Sequence, residues 1–398
     1  MKTFYLPPLY DHHSHFSLYA SLSSMPSLAD VSDRNKALDL IRGISAEGLT
    51  LIQGWNSSSF TLTPADLGEN NPVIVLNLSL HGMVMNRAAE DFLNAEYSDI
   101  AANHRDPIWV ERHLPRILRM VPCIVPPADE DIKSFCASLR ETGIGEMEDM
   151  LLPEAKWLDV ISSAPLPIHT WADEEIYNIL TRSEKEKVMG VKLFTDGALG
   201  TCTAALSQPY LSGEQGVLLS GEDEFTEKVY GFMKDGAAPA IHAIGDMAVE
   251  MAVNAVKTLR KERGCSGPVR IEHVQFISKE AAFTAKNAGI TLSMQPNFNS
   301  DSVIYTDRLP RGFAAMNNPF RMLIDEAGFV PGKDLIFGSD GMPHGIRPAL
   351  KAALFPPFPG QALSVPEFIE GYCMKDMEDE WMVEVDGTDI RITSLQAR

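Results

Sequence analysis

One pattern constrains this chain more than any other. Short apolar runs end in a polar or ionisable residue, and a helix-like segment follows. The runs are Pro8–His13, Gly143–Glu148, Leu166–Trp171, Gly190–Thr195, Pro239–Ala243, Val269–His273, Ile290–Met294 and Leu335–Ser339. Runs this short suit strands buried on both faces. Their alternation with helices predicts a parallel α/β fold. Eight is the number of strands that closes a (β/α)₈ TIM-like barrel. At 398 residues the chain can bury a large core, and barrels of this length commonly form one domain. We therefore read 1–398 as a single barrel.

The first two runs lie too far apart for one crossover. Residues 20–140 read as a large insertion between strands 1 and 2. It carries strand-like runs at Leu49–Gln53 and Pro72–Ser79, and helical segments near Asp33–Ala46 and Asp106–Arg119. Further on, Ala248–Arg263 places Met251, Ala252, Ala255, Val256 and Leu259 at helical spacing, with charges closing its end. The long stretch from Gly197 to Asp223 is glycine-rich and aperiodic, as functional loops often are. Leu363–Tyr372 reads as a helix, and Asp and Glu cluster over 375–385. Trp381–Ile392 reads as a hairpin turned at Asp386-Gly387, so 381–398 is a C-terminal hairpin or tail. There is no internal repeat.

The formal net charge of −20 repels phosphate backbones, which argues against nucleic acid as a partner. The cysteines, Cys123, Cys136, Cys202, Cys265 and Cys373, are odd in number and form no C-x-x-C pair. That argues against a disulfide framework and a thiolate zinc site, and predicts free thiols in a reducing compartment. Met1–Tyr10 lacks the apolar run of a signal peptide, and no stretch approaches the ~20 apolar residues of a membrane span. The expectation is a cytoplasmic protein with a small-molecule substrate and no membrane partner.

The chemistry concentrates at the run ends. In Asp11-His12-His13-Ser14-His15, residues two apart point to the same side of an extended segment. His13 and His15 can thus reach one ion, and imidazole is a common ligand for zinc and similar metals. A lone H-x-H also occurs in ordinary polar loops. His242 and His273 close their runs, Asp340 follows Leu335–Ser339, and Lys192 lies inside Gly190–Thr195. In a barrel these ends converge on the active-site face. Taken singly, each has a structural explanation: a satisfied histidine or a capping aspartate. The ammonium of Lys192 is costly among Val191, Leu193 and Phe194, so its charge must be resolved. An ion pair with Asp196 or Glu148 is one solution.

With these residues in view, the sequence resembles the amidohydrolase superfamily, in its YtcJ-like, N-substituted formamide deformylase-like branch (amidohydrolase family 3). The resemblance rests on Asp11–Phe16 (DHHSHF), Gln53–Asn56 (QGWN), Val191–Gly200 (VKLFTDGALG), Ile241–Val249 (IHAIGDMAV), Arg270–Gln275 (RIEHVQ), Ser293–Pro296 (SMQP) and Phe337–Asp340 (FGSD). His81–Asn86 (HGMVMN) is a weaker match. The resemblance implies a binuclear centre: His13 and His15 on the more buried metal, His242 and His273 on the second, and a carbamylated Lys192 bridging them. It implies that Asp340 contacts the first metal and serves as general base and acid. One or two divalent ions are expected, with Zn foremost and Fe, Mn, Co or Ni compatible. Relatives flank the barrel with a small β-sandwich, which here is absent or reduced, leaving a homo-oligomer open.

The implied reaction is hydrolysis of a C–N bond in an amide, formamide or cyclic amide by a metal-activated hydroxide. Two other readings stay open: a deaminase or lactone/ester hydrolase of the same superfamily, and a non-catalytic binding barrel. Superfamily deaminases typically lack the bridging lysine, so Lys192 argues against that one. His81, Asn86 and Trp55 are the substrate-binding candidates. His169 is expected to pack locally, His344 to lie at the rim, and Asp196 to order the loop after strand 4.

Overall fold

The computed structural model describes residues 2–395 except 45–47, 58 and 376. Among these, the strands in chain order begin with β1 (Lys2–Leu6), β2 (Leu9–Ser14), β3 (Thr50–Trp55), β4 (Val73–Asn77), β5 (Met83–Met85), β6 (Ile144–Asp149) and β7 (Ile168–Thr170). They continue with β8 (Ala172–Asp173), β9 (Val191–Phe194), β10 (Pro239–Ala243), β11 (Arg270–His273), β12 (Thr291–Met294), β13 (Leu335–Phe337), β14 (Trp381–Asp386) and β15 (Asp389–Ser394). The chain divides into two compact units, Met1–Tyr19 with Ala128–Arg398, and Ala20–Pro127.

The first unit is a mixed α/β structure on parallel strands. One sheet runs β13-β12-β11-β10-β9-β8 and a second runs β2-β6-β7. The eight apolar runs all contain strands here, most of them largely buried; every residue of β10 is buried. The run at Leu166–Trp171 contains β7, and β8 follows just beyond it. Only Trp171 separates them, and its N–H donates to Asp149 O at 2.8 Å. At the other edge β13 packs against β2, and the Asp340 N–H donates to His13 O at 2.7 Å.

The helix Asp246–Arg263 has a sequence-readable beginning and end. Asp246 lies in the first turn, and Arg260, Lys261 and Arg263 lie in the last, each complementing the helix dipole. Gly264 closes it in the left-handed conformation at φ 63. Its buried face includes Met251, Ala252, Ala255, Val256 and Leu259.

The hairpin β14–β15 turns at Asp386-Gly387, with Gly387 at φ 61. It does not stand alone. β1 pairs antiparallel with β14, from Lys2↔Val385 to Leu6↔Trp381, making a three-stranded sheet. Leu6, Val383 and Ile390 are its buried anchors. The sequence reading missed β1 because its other residues are largely exposed and show no clear run. Residues 396–398 of the expected tail lie outside the described residues.

The second unit carries its own sheet, β3-β4-β5, and its own core around Leu28, Leu38, Ile52, Trp55, Phe60 and Val75. The helix expected over Asp33–Ala46 spans Arg34–Gly43, with the Asp33 side chain accepting from Lys36 N; residues 45 and 46 lie outside the described residues. The segment Asp106–Arg119 is two helices, Pro107–Arg112 and Leu114–Ile124. Pro115 offers no N–H to continue the first, so the chain restarts. The unit ends at Pro127, short of the expected boundary at 140. Helix Asp129–Glu141 packs on β6 in the first unit. No described helix is long and apolar enough to cross a membrane. None of the five cysteines forms a disulfide among the described residues.

Phe337 on β13 is fully buried against Phe320 and Tyr372. Phe337→Ala should destabilise the protein by about 3–5 kcal/mol, the usual cost of emptying an aromatic site. Chemical denaturation measures it. A loss below about 1 kcal/mol would mean that β13 is not packed this way.

Candidate metal centre

Strand geometry brings most of the predicted residues together. His13 and His15 come from the end of β2. Their Nε2 atoms lie 3.7 and 3.2 Å from Asp340 Oδ1. These three residues offer ligand atoms all within 4.8 Å of one another. From His13 the imidazoles continue in a chain: the His273 ring is 4.6 Å away, and the His242 ring 4.5 Å beyond it. Four strand ends, β2, β10, β11 and β13, thus contribute to one cluster.

Local backbone features make this possible. β2 has an irregular register against β6 between Asp11 and Ser14. A break of that kind lets neighbouring residues face the same way, and His12 reaches Glu148 while His13 reaches Glu272. His273 has φ 69, Val274 φ 50 and Asp340 φ 55, all left-handed. Non-glycine residues pay for this conformation, Val most of all, and it concentrates at functional sites. At His273 it breaks strand alternation, so that Glu272 and His273 both approach His13. At Asp340 both backbone groups are held: N–H by His13 O, and C=O by the Tyr19 hydroxyl at 3.1 Å.

Hydrogen bonds set three of the imidazoles, while His15 Nδ1 has no hydrogen-bond partner. His13 Nδ1–H donates to Glu272 Oε2 at 2.6 Å. His273 Nδ1–H donates to Gln295 Oε1 at 2.8 Å, and His242 Nε2–H donates to Gly197 O at 3.1 Å. In His13 and His273 the other nitrogen keeps its lone pair, which is the arrangement that metal-ligating histidines adopt. Burial pushes His13 and His273 well below the ordinary histidine range, and Lys192 lowers both further; both are therefore neutral. Burial also works against ionisation of Asp340. The hydrogen bond from His15, the neighbouring imidazoles and the Lys192 ammonium outweigh it, so its carboxyl titrates below the usual range.

Lys192 is buried to 1% exposure, and its Nζ has no hydrogen-bond partner. Neither carboxylate considered from the sequence serves it. Asp196 accepts from the N–H groups of Ala205, Ile244 and Gly245, which orders the loop after β9. Glu148 accepts from Arg270, Trp171 and His12. Burial drives the Lys192 amine down to about 8, against the pull of Glu272 and Asp340. Neutral imidazoles with inward lone pairs, an ionised carboxylate and an orphaned amine fit a cation-binding site.

The remaining candidates have other partners. Trp55 packs in the core of the second unit and donates to Phe60 O. Asn86 caps the helix Arg87–Leu93: its Oδ1 accepts from Ala89 N and Val73 N, and its Nδ2 donates to Gly68 O and Asn71 O. All its polar capacity is spent inside the unit. His81 pairs with the buried Glu111 at 3.0 Å. His169 pairs with Glu146 at 2.5 Å beside the Tyr10 ring. His344 bonds the Ser14 hydroxyl at 2.8 Å and meets the Tyr19 ring edge-on. The sequence reading assigned no role to Arg270 and Glu272. Their signal was two opposite charges at i and i+2 on an apolar strand, which places them on one side.

These features define an α/β protein with a candidate metal centre at its strand ends. The sequence profile of the amidohydrolase family matches residues 143–348, just over half of the chain, and the chain belongs to that family. The matched stretch contains Lys192, His242, His273 and Asp340. Putative amidohydrolase YtcJ of Bacillus subtilis is 24% identical over 391 residues, covering 86% of this chain and 71% of that protein. Protein LONG AFTER FAR-RED 3 of Arabidopsis thaliana is 30% identical over 146 residues, 34% of this chain and 25% of that one. Two solved structures, both of uncharacterized metal-dependent hydrolases, share the fold at a TM-score of 0.64. The Pyrococcus horikoshii protein is 20% identical, covering 88% of this chain and 74% of its own. The Pyrococcus furiosus protein is 23% identical, covering 91% and 80%.

The unpaired amine yields a prediction. In the metal-free protein, Lys192→Met removes an uncompensated ammonium and keeps the side chain's length. Stability at pH 7 should rise by up to about 3 kcal/mol, since each pKa unit corresponds to about 1.4 kcal/mol. Between pH ~8 and ~10.5 the unfolded chain holds the lysine proton and the folded one releases it, so wild-type stability climbs with pH and the gap to the variant closes. Denaturant melts across pH test this. A variant less stable at pH 7 would mean that the ammonium has a partner.

Proposed function

We propose that the chain is a metal-dependent hydrolase on a closed (β/α)₈ barrel, with residues 20–127 inserted after the first barrel strand, and that it cleaves a C–N bond in an amide, formamide or cyclic amide. The barrel is supported by β13 lying against β2 and by Trp171 alone dividing β7 from β8. The observation that carries the functional reading is the cluster of His13, His15 and Asp340, continued by His273 and His242, at the carboxyl ends of these strands. Barrel enzymes place their chemistry at that end. The archaeal proteins of like fold are described as metal-dependent hydrolases, which agrees with it.

His13, His15 and Asp340 would hold one divalent ion, and His242 and His273 a second. When bound, such an ion polarises a substrate oxygen and lowers the pKa of water toward about 7. The chain's own residues supply the rest. Asp340 is ionised and part-exposed, so it can take a proton from the attacking water and hand it to the departing amine. The Lys192 amine, with its pKa near 8, has a neutral fraction able to add to carbon dioxide. Nitrogen's lone pair forms the new C–N bond, one proton leaves, and a carbamate anion results. That anion resolves the buried cation and would bridge two ions. A bridging lysine also weighs against the deaminase alternative.

The test is a panel of N-formyl, N-acyl, cyclic amide and lactone substrates with Zn-, Mn- and Co-loaded protein. Amide turnover is expected. Asp340→Asn should retain metal by elemental analysis and lose about 10²- to 10⁴-fold in turnover, the usual worth of a positioned acid–base group. Near-normal turnover in that variant would remove Asp340 from the role. Turnover of lactones alone would reassign the substrate class.

A further inference from the structure

Behind His13 lies a buried ionic chain that the ligand set does not use. Glu272, fully buried, accepts the His13 Nδ1–H at 2.6 Å through Oε2 and the Arg270 Nε–H at 2.8 Å through Oε1. The Arg270 guanidinium then donates to Glu148 Oε2 at 2.5 Å, to His12 O at 2.8 Å and to Ser293 Oγ at 3.2 Å. Glu148 is fixed in turn by Trp171 Nε1 at 2.6 Å and His12 Nδ1 at 3.0 Å. The chain ties β2, β6, β11 and β12 together. Removing one partner of such a network strands the other charge.

We propose that Glu272 and Arg270 are positioning residues for the metal centre: they hold His13 in its Nδ1–H tautomer, so that the Nε2 lone pair faces Asp340. This rests on the metal-centre reading above and adds to it the device that makes His13 a ligand. The logic lies in the acceptors. A carboxylate can accept from His13 and Arg270 at once, whereas an amide of the same shape offers one acceptor and one donor. In Glu272→Gln the carbonyl turns to the guanidinium, where a charge-assisted bond is strongest, and the NH₂ turns to His13. His13 Nδ1 then becomes an acceptor, and the proton moves to the nitrogen that faces the site.

The experiment uses metal-free, ¹⁵N-histidine-labelled full-length chain, with Zn added in competition with a chelator. Glu272→Gln should shift the His13 ring resonances from the Nδ1–H to the Nε2–H pattern and weaken Zn binding by about 10- to 100-fold. Glu272→Asp, which keeps both acceptors, should retain the Nδ1–H pattern and recover part of the affinity. Arg270→Lys keeps the charge but not the fork, and should weaken Zn binding several-fold; it serves as the readout if the Gln variant does not fold. Wild-type Zn affinity in Glu272→Gln or Arg270→Lys, or an unchanged tautomer in Glu272→Gln, would overturn the proposal. Wild-type protein that binds no Zn would instead overturn the metal-centre reading itself.

Discussion

The structure depends on a buried guanidinium. Arg270 lies in the middle of a parallel sheet, where a lone cation would cost several kcal/mol. Glu148 on β6 and Glu272 on β11 flank it, and the His12 carbonyl on β2 takes a further donor. Burial opposes ionisation of both acids, but Arg270 holds each below the ordinary glutamate range. One residue thereby pins three strands and fixes the orientation of the first histidine. A wholly apolar interior would have been simpler to stabilise. The charges are kept where they touch the site.

Around this satisfied network lie groups that are not satisfied. The Lys192 amine has no hydrogen-bond partner, His273, Val274 and Asp340 occupy left-handed backbone, and His13 and His273 each keep a lone pair on the nitrogen that does not donate. Each feature costs stability in the metal-free chain, and all gather at one end of the strands. A cation and a carbamate would answer them together, since one resolves the lone pairs and the other resolves the ammonium.

Much of the cluster was legible because histidines and a carboxylate at strand ends stand out from apolar neighbours. The convergence of His13, His15, His242, His273 and Asp340 follows from the strands that carry them, which are nearly unbroken apolar runs. What was not legible follows from physics too. β1 is mostly exposed and β5 has only three residues, so neither has a pattern to read. A substrate contact is the expectation for Asn86, yet an Asn just ahead of a helical segment with an acid in its first turn is also a helix-start signal, and capping is the duty it performs. Arg270 and Glu272 were in plain view within RIEH. Their roles depend on a partner 259 residues away in sequence, and no local rule supplies that.

Residues from four strands are proposed to hold metal in one cluster, and anomalous diffraction from crystals of the Zn-loaded protein would locate it. A peak is expected about 2.0–2.1 Å from the Nε2 atoms of His13 and His15, within reach of Asp340, with added density on Lys192 Nζ. A peak elsewhere on the molecule, with these imidazoles hydrogen-bonded only to protein or water, would contradict it.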